Sequence, residues 1–292
     1  MTPTVALVTS SYRGDLERCR LLCDSIDRFV TGHRRHYLLV EAADVEAFRS
    51  FETATRRAVS ERDLLPPWLR PVRDPLNRGR RIWLQPFGPP LRGWHVQQLR
   101  RFAMAATMAE EVLVSLDSDV VFVRPFDVGR LCEGDAVDFT RIPRSIRPIS
   151  GDRRADHDRW DSRAAKLLGL TNRGPVDVGY IATLIAWRRD TVREMMARIE
   201  KTTGRSAMRA LAGSRALSEC TIYGRFVDEA ENRPERHRPV SQELCAVYWS
   251  GPALGEAELR QYLGALAPHQ VAVGLQSFTG TDPRLIRAAV GL

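Results

Sequence analysis

Two carboxylates, Asp117 and Asp119, interrupt an otherwise apolar and β-branched run from Val112 to Val123. Such a run predicts a buried strand, and in a strand residues two apart face the same way. If the chain stays extended there, both carboxylates present oxygen to one point. Two unpaired carboxylates inside a core are costly, so they belong at the strand's C-terminal edge, where open α/β sheets bind ligands. Hard oxygens at that spacing suit Mg²⁺ or Mn²⁺ carrying a diphosphate. The plainer reading is that Asp-Ser-Asp marks a turn between two short strands. The apolar residues on both sides favour the metal site.

The elements that position this strand begin at the N-terminus. Thr4–Ser11 reads as a first strand and Tyr12–Asp15 as a turn. Leu16, Cys19, Leu22, Cys23, Ile26, Phe29 and Val30 then follow helical spacing. Tyr37–Val40 is a second strand, and Asp44 caps a short helix holding Val45, Phe48 and Phe51. This opening predicts an α/β fold with a mixed, mostly parallel sheet flanked by helices. Neither a Gly-x-Gly-x-x-Gly dinucleotide signature nor a P-loop is present. A nucleotide can still sit over the first strand's end, with Thr9, Ser10 and Tyr12 near base and ribose. A plain polar strand end reads equally well.

Residues 61–93 read as a long irregular connection with one strand, Ile82–Leu84. Trp94 opens a helix whose buried stripe is Leu99, Phe102, Ala103 and Ala106, with Gln97 and Arg101 one turn apart on another face. Val137–Thr140 is a further strand. Residues 141–175 form a polar, arginine-rich insertion with one short helical piece near Ala164–Leu168. A strand then leads to Trp187, followed by a helix through Val192, Met195, Met196 and Ile199. Ser218 is a natural N-cap, which puts Glu219 in a first helical turn. Strands at Leu244–Trp249 and Val271–Leu275, with helices at Ala257–Leu266 and from Pro283, complete the chain.

The stretch Leu116–Phe126, with a Gln/Arg helix before it, resembles the Asp-x-Asp region of GT-A glycosyltransferases. Gly93-Trp94-His95-Val96-Gln97-Gln98-Leu99, Ser218-Glu219 and Gln276-Ser277 follow in an order and spacing similar to bacterial glycosyltransferase-like proteins of unassigned substrate. The resemblance implies one GT-A-like, Rossmann-like domain over residues 1–292. Its donor-binding half would be about 1–124 and its acceptor-binding half about 125–292. It implies a metal-dependent enzyme moving a sugar from a nucleotide-sugar donor, a UDP-sugar before others, to a carbohydrate or small-molecule acceptor hydroxyl, with inversion. Thr9, Ser10, Tyr12, Gln97, Arg101, Asp117 and Ser118 would meet the donor, although Arg101 reads equally as a solvated helix arginine. Asp117 and Asp119 would hold Mn²⁺ or Mg²⁺. A late histidine often joins such a site, and His269 is the candidate, though neither it nor His237 sits in a telling pattern. Glu219 would be the acceptor base, with Asp177 as its rival. The 141–175 insertion would lie over the acceptor, or be an ordinary surface excursion.

Composition bounds these expectations. At 292 residues and 43% hydrophobic content the chain can bury a sizeable core. The net charge is +8, and Lys166 and Lys201 are the only lysines. Arginine forks match phosphate, but the arginines are interspersed with acids and no nucleic-acid motif is present. Nucleic acid is therefore not an expected partner, and a non-catalytic polyanion or nucleic-acid binder is an alternative reading. A sugar nucleotidyltransferase is another, weakened by a single glycine in Thr9–Gly14. Five cysteines without zinc-type spacing predict reduced core thiols in a cytoplasmic protein. No signal peptide or transmembrane segment is expected, and peripheral membrane attachment through arginines stays open.

Overall fold

The computed structural model describes residues 3–77 and 80–292. In chain order its main elements are β1 (Val5–Ser10), α1 (Leu16–Phe29), β2 (His33–Val40), β3 (Arg56–Ser60), α2 (Gly93–Thr107), β4 (Val112–Asp117) and β5 (Val120–Phe122). There follow α3 (Gly151–Leu168), β6 (Leu184–Arg188), α4 (Arg189–Thr203), α5 (Glu219–Phe226), β7 (Cys245–Tyr248), β8 (Ala272–Leu275) and α6 (Pro283–Val290).

All six residues of β1 are buried, because the strand is covered on both faces. Val5 and Leu7 pack with Leu22 and Ile26 of α1. Ala6 and Val8 face the other way, into a layer with Leu99 and Phe102 of α2 and with Met195 and Ile199 of α4. The sheet order is β6-β4-β1-β2-β3. Four strands are parallel, and β6 runs antiparallel to β4. The fold is therefore mixed α/β with a mostly parallel central sheet.

The chain builds outward from β1 to β2 and β3, then returns to the other side of β1 with β4. That reversal leaves a crevice at the C-terminal ends of β1 and β4, the general ligand position in open α/β sheets. Ser10 and Asp117 are register partners at this point. Strands from both sides of residue 124 share sheets. β6 pairs with β4, and β8 pairs antiparallel with β5 and parallel with β7.

Three expectations need correction. The Val112–Val123 run is not one strand: it turns at Ser118 and Asp119, and its halves enter different sheets. The run stays apolar because Val120 and Phe122 are buried beneath α1, beside Leu22 and Ile26. Residues 61–93 are not irregular. They hold an antiparallel meander of Arg70–Arg73, Arg81–Leu84 and Leu91–Arg92. The insertion carries an 18-residue helix, α3, instead of one short piece. Its buried side is narrow, chiefly Asp161, Ala164, Ala165, Leu167 and Leu168, so hydrophobic periodicity shows only in its last turns. Gly169 ends it in the left-handed conformation that a side chain resists.

All five cysteines are free thiols, four of them buried. Among the described residues no helix is long and apolar enough to cross a membrane.

Phe102 of α2 stacks on Trp187 of β6 at 5.5 Å between ring centroids and joins helix to sheet at the level of Leu113 in β4. Phe102→Ala is expected to cost about 3–5 kcal/mol in urea unfolding at unchanged m-value. A loss below about 1 kcal/mol would contradict this packing.

Candidate functional site

The crevice is organised by one buried arginine. Asp117 ends β4, and Glu219 opens α5 behind its N-cap Ser218, whose hydroxyl accepts from the Thr221 amide at 3.3 Å. Between them lies Arg101 of α2. One guanidinium nitrogen donates to Glu219 at 2.7 Å and the other donates to Asp117. Glu219 is only 5% exposed and Arg101 8%. Burial pushes the Glu219 carboxyl up from its ordinary range, Arg101 and the helix start oppose this, and Asp117 adds to it. Burial works against the charge on Arg101, but the two carboxylates outweigh it and raise its pKa. Arg101 is therefore not a solvated helix arginine.

Gln98, one turn before Arg101, completes this arrangement by accepting the Glu219 amide at 2.9 Å. Its own side-chain nitrogen is buried without a partner. Gln97, expected at the donor, is half-buried, and the glutamine that reaches Glu219 is its neighbour. The i, i+3 spacing of Gln98 and Arg101 is the sequence signal that points to it.

Asp119 lies beyond the turn and is 9% exposed. One carboxylate oxygen accepts from the Ser277 amide at 3.2 Å, and the Asp119 carbonyl accepts from the Leu275 amide at 3.1 Å. The other carboxylate oxygen, Oδ1, is buried with no partner. Burial, with Asp117 second and Asp15 contributing, pushes the Asp119 carboxyl up to about 7. Asp15, at the entry to α1, accepts from the Ser118 hydroxyl at 3.3 Å and is itself shifted upward by burial. Arg18 of α1 steadies the same corner, donating to the carbonyls of Leu275 at 2.9 Å and Thr281 at 2.6 Å. Asp15 was missed as a site residue because it reads as part of a turn.

Other expected residues fall elsewhere. Thr9 is fully buried and shares a 3.1 Å hydrogen bond with His36, so its side chain is not open to a ligand. Ser10 is buried beside Asp117 with an unpartnered hydroxyl. Tyr12 stands beyond β1, 39% exposed. Asp177 accepts from the Arg147 amide at 2.7 Å and pairs with its guanidinium at 3.4 Å, away from Arg101 and Glu219. His269 is exposed before β8, at the end opposite Asp119, because β8 runs antiparallel to β5. The structure therefore does not bring His269 to the two aspartates. Among the described residues no three His, Cys, Asp or Glu side chains are gathered tightly enough to hold a metal ion. A cavity of about 300 Å³ lies along β6, walled by Leu131, Thr140, Leu184, Val240 and Leu244 among others. None of the acids or arginines above is in its wall.

A family model described as a family of unknown function, DUF6492, matches residues 4–266. The chain belongs to this family. No curated protein matches it. In this DUF6492 member the matched region contains the whole Asp15–Gln98–Arg101–Asp117–Asp119–Glu219 cluster.

The raised Asp119 carboxyl gives a pH signature in the metal-free protein. Between roughly pH 4 and 7 the folded state holds a proton that the unfolded chain has released, so stability falls as pH rises through that window. Asp119→Asn removes this charge and is expected to stabilise the protein at pH 8 by roughly 1–4 kcal/mol, with the gain vanishing near pH 4. Urea melts of both proteins in EDTA across this range measure it. A loss of stability at pH 8 would contradict the unpartnered burial.

Proposed function

We propose that this DUF6492 protein is a nucleotide-sugar-dependent glycosyltransferase of GT-A-like architecture. Its donor diphosphate would lie at the C-terminal ends of β1 and β4. The observation that carries the reading is the Asp117–Ser118–Asp119 turn at the sheet's switch point, with a buried, unpartnered oxygen on Asp119 and with Asp117 joined through Arg101 to Glu219. An orphaned carboxylate oxygen in a buried position fits a divalent cation, which would favour the ionised form that burial and then Asp117 disfavour. Mg²⁺ is usually held by one or two carboxylates plus waters and substrate phosphates, so Asp119 and Asp117 suffice as the protein's ligands. When bound, Mn²⁺ or Mg²⁺ would offset the charge gathering on the departing diphosphate.

The chain's own groups supply the rest. Arg101 is bound at both ends by carboxylates, and its fork also matches phosphate. A diphosphate arriving next to Asp117 competes for that guanidinium. As Arg101 turns toward phosphate, Glu219 loses its counter-charge. A buried carboxylate without a partner binds a proton more readily. Donor binding thus prepares Glu219 to take the proton from an acceptor hydroxyl, the step that inversion requires. Ser218 and the Gln98 contact hold Glu219 at its helix start through this change. Asp177, occupied by Arg147, has no comparable position.

Thermal-shift titrations with UDP, GDP and ADP, with and without Mn²⁺, test the donor site. One diphosphate is expected to stabilise wild type only with the metal, and Asp119→Ala is expected to abolish that shift while folding normally. Glu219→Gln is expected to keep the shift and to lose at least about 10²-fold in turnover of the matching nucleotide sugar. Metal-independent shifts for all three nucleotides, or full turnover in Glu219→Gln, would refute the respective assignments.

A further inference from the structure

The face of α2 that holds Arg101 and Gln98 continues outward to a large exposed aromatic. Trp94, Gln98 and Arg101 stand at i, i+4 and i+7, one stripe of the helix. Helix rise places Trp94 about 10 Å beyond Arg101 along the axis. The helix leads from its C-terminal end into parallel β4, so its N-terminal end stands at the ligand edge of the sheet. Trp94 is 49% exposed. It meets Trp160 of α3 at 5.8 Å between ring centroids and 39° between planes, and His157 packs edge-on to Trp160 at 5.0 Å.

This ledge is not an isolated surface aromatic of the ordinary kind. Both of its halves are fixed to the Glu219 helix. Trp94 is tied through α2, where Gln98 accepts the Glu219 amide. Trp160 is tied through Asp161, whose carbonyl accepts from fully buried Arg225 of α5 at 3.0 Å. Along the same stripe, one turn inward from Trp94, the Gln98 side-chain nitrogen is buried with an unused donor, and Gln98 is only 1% exposed. An aromatic face that shares a helix stripe with an unused amide donor matches a ligand having an apolar face and hydroxyls at its edge. A pyranose has that character: axial C–H groups present one face to an indole, and its hydroxyls accept and donate around the rim.

We infer that Trp94 and Trp160 form a carbohydrate subsite, a stacking ledge for a sugar ring of the acceptor leading down to Glu219. The inference rests on the glycosyl-transfer reading for the direction of the chain's chemistry. The ledge itself is testable without a donor.

The test uses the 292-residue chain labelled with 5-fluorotryptophan, whose six tryptophans give separate ¹⁹F signals assigned by single Trp→Phe variants. Methyl β-D-glucopyranoside, methyl β-D-galactopyranoside and methyl α-D-mannopyranoside are titrated into the tens-of-millimolar range, with isopropanol as an apolar control. At least one glycoside is expected to shift Trp94 and Trp160 together and saturably, leaving Trp83 and Trp187 unmoved. Trp94→Ala is expected to weaken that glycoside at least about tenfold, with Trp94→Phe between the two. Silence toward all three glycosides, equal shifts with isopropanol, or shifts that follow protein concentration and mark a contact between copies would each overturn the ledge. The Mn²⁺-dependent nucleotide shift of Trp94→Ala separates the two readings. If it is retained while glycosides fail, the ledge alone falls. If nucleotides fail on wild type while glycosides bind, the donor site falls and the ledge stands.

Discussion

The structure depends on keeping Arg101 charged where water is excluded. A guanidinium out of solvent is tolerable only with both arms satisfied, and the two arms are met by acids from different elements, Asp117 at the end of β4 and Glu219 at the start of α5. Removing the buried partner of such a pair, here Glu219, typically costs about 3–5 kcal/mol, since it leaves a charge uncompensated. The register of α2, the length of β4 and the entry angle of α5 are therefore constrained together. Each of the three elements has its own anchor. Phe102 holds α2 on Trp187, Ser218 caps α5, and Ser10 pairs β4 with β1.

The arginine bias of the chain acquires a structural explanation. Many arginines act as internal struts that satisfy backbone carbonyls. Arg18 binds those of Leu275 and Thr281, Arg124 those of Ala267 and Gln270, and Arg225 those of Asp161, Asn172 and Gly174. Arg56 reaches His36, Asp27 and the Cys23 carbonyl from inside the fold. Five donors on a rigid plane suit this task, and lysine could not replace them. Guanidinium forks occupied inside the fold in this way do not reach a polyanion, which weakens the polyanion-binder reading that the net charge invites.

Much of the fold was legible because burial on both faces of a parallel sheet writes continuous apolar runs, as in β1 and β4. Helices with a wide buried stripe, such as α1 and α2, were legible for the same reason. What escaped was polar. The strand β3 has Arg56 and Arg57 where a hydrophobic pattern would be sought, since Arg56 is buried as a strut. The helix α3 shows the core too few residues to register a period. At the site, Asp117, Arg101 and Glu219 were visible as positions, but their mutual pairing was not, because it joins residues far apart in sequence. The expectation that Asp117 and Asp119 alternate on one extended strand failed at Ser118. The turn nevertheless keeps the two carboxylates close enough for Asp117 to raise the Asp119 pKa.

The central claim is that this corner of the sheet takes a divalent cation together with a nucleoside diphosphate. Electron paramagnetic resonance of Mn²⁺ tests it most directly, because the sharp signal of the free aquo ion falls as the ion is captured. With the nucleoside diphosphate that binds most strongly, wild-type protein is expected to remove one Mn²⁺ per chain beyond what the nucleotide binds alone. Asp119→Asn is expected to remove none. Equal capture by wild type and Asp119→Asn, or none by wild type with any of UDP, GDP or ADP, would contradict the account.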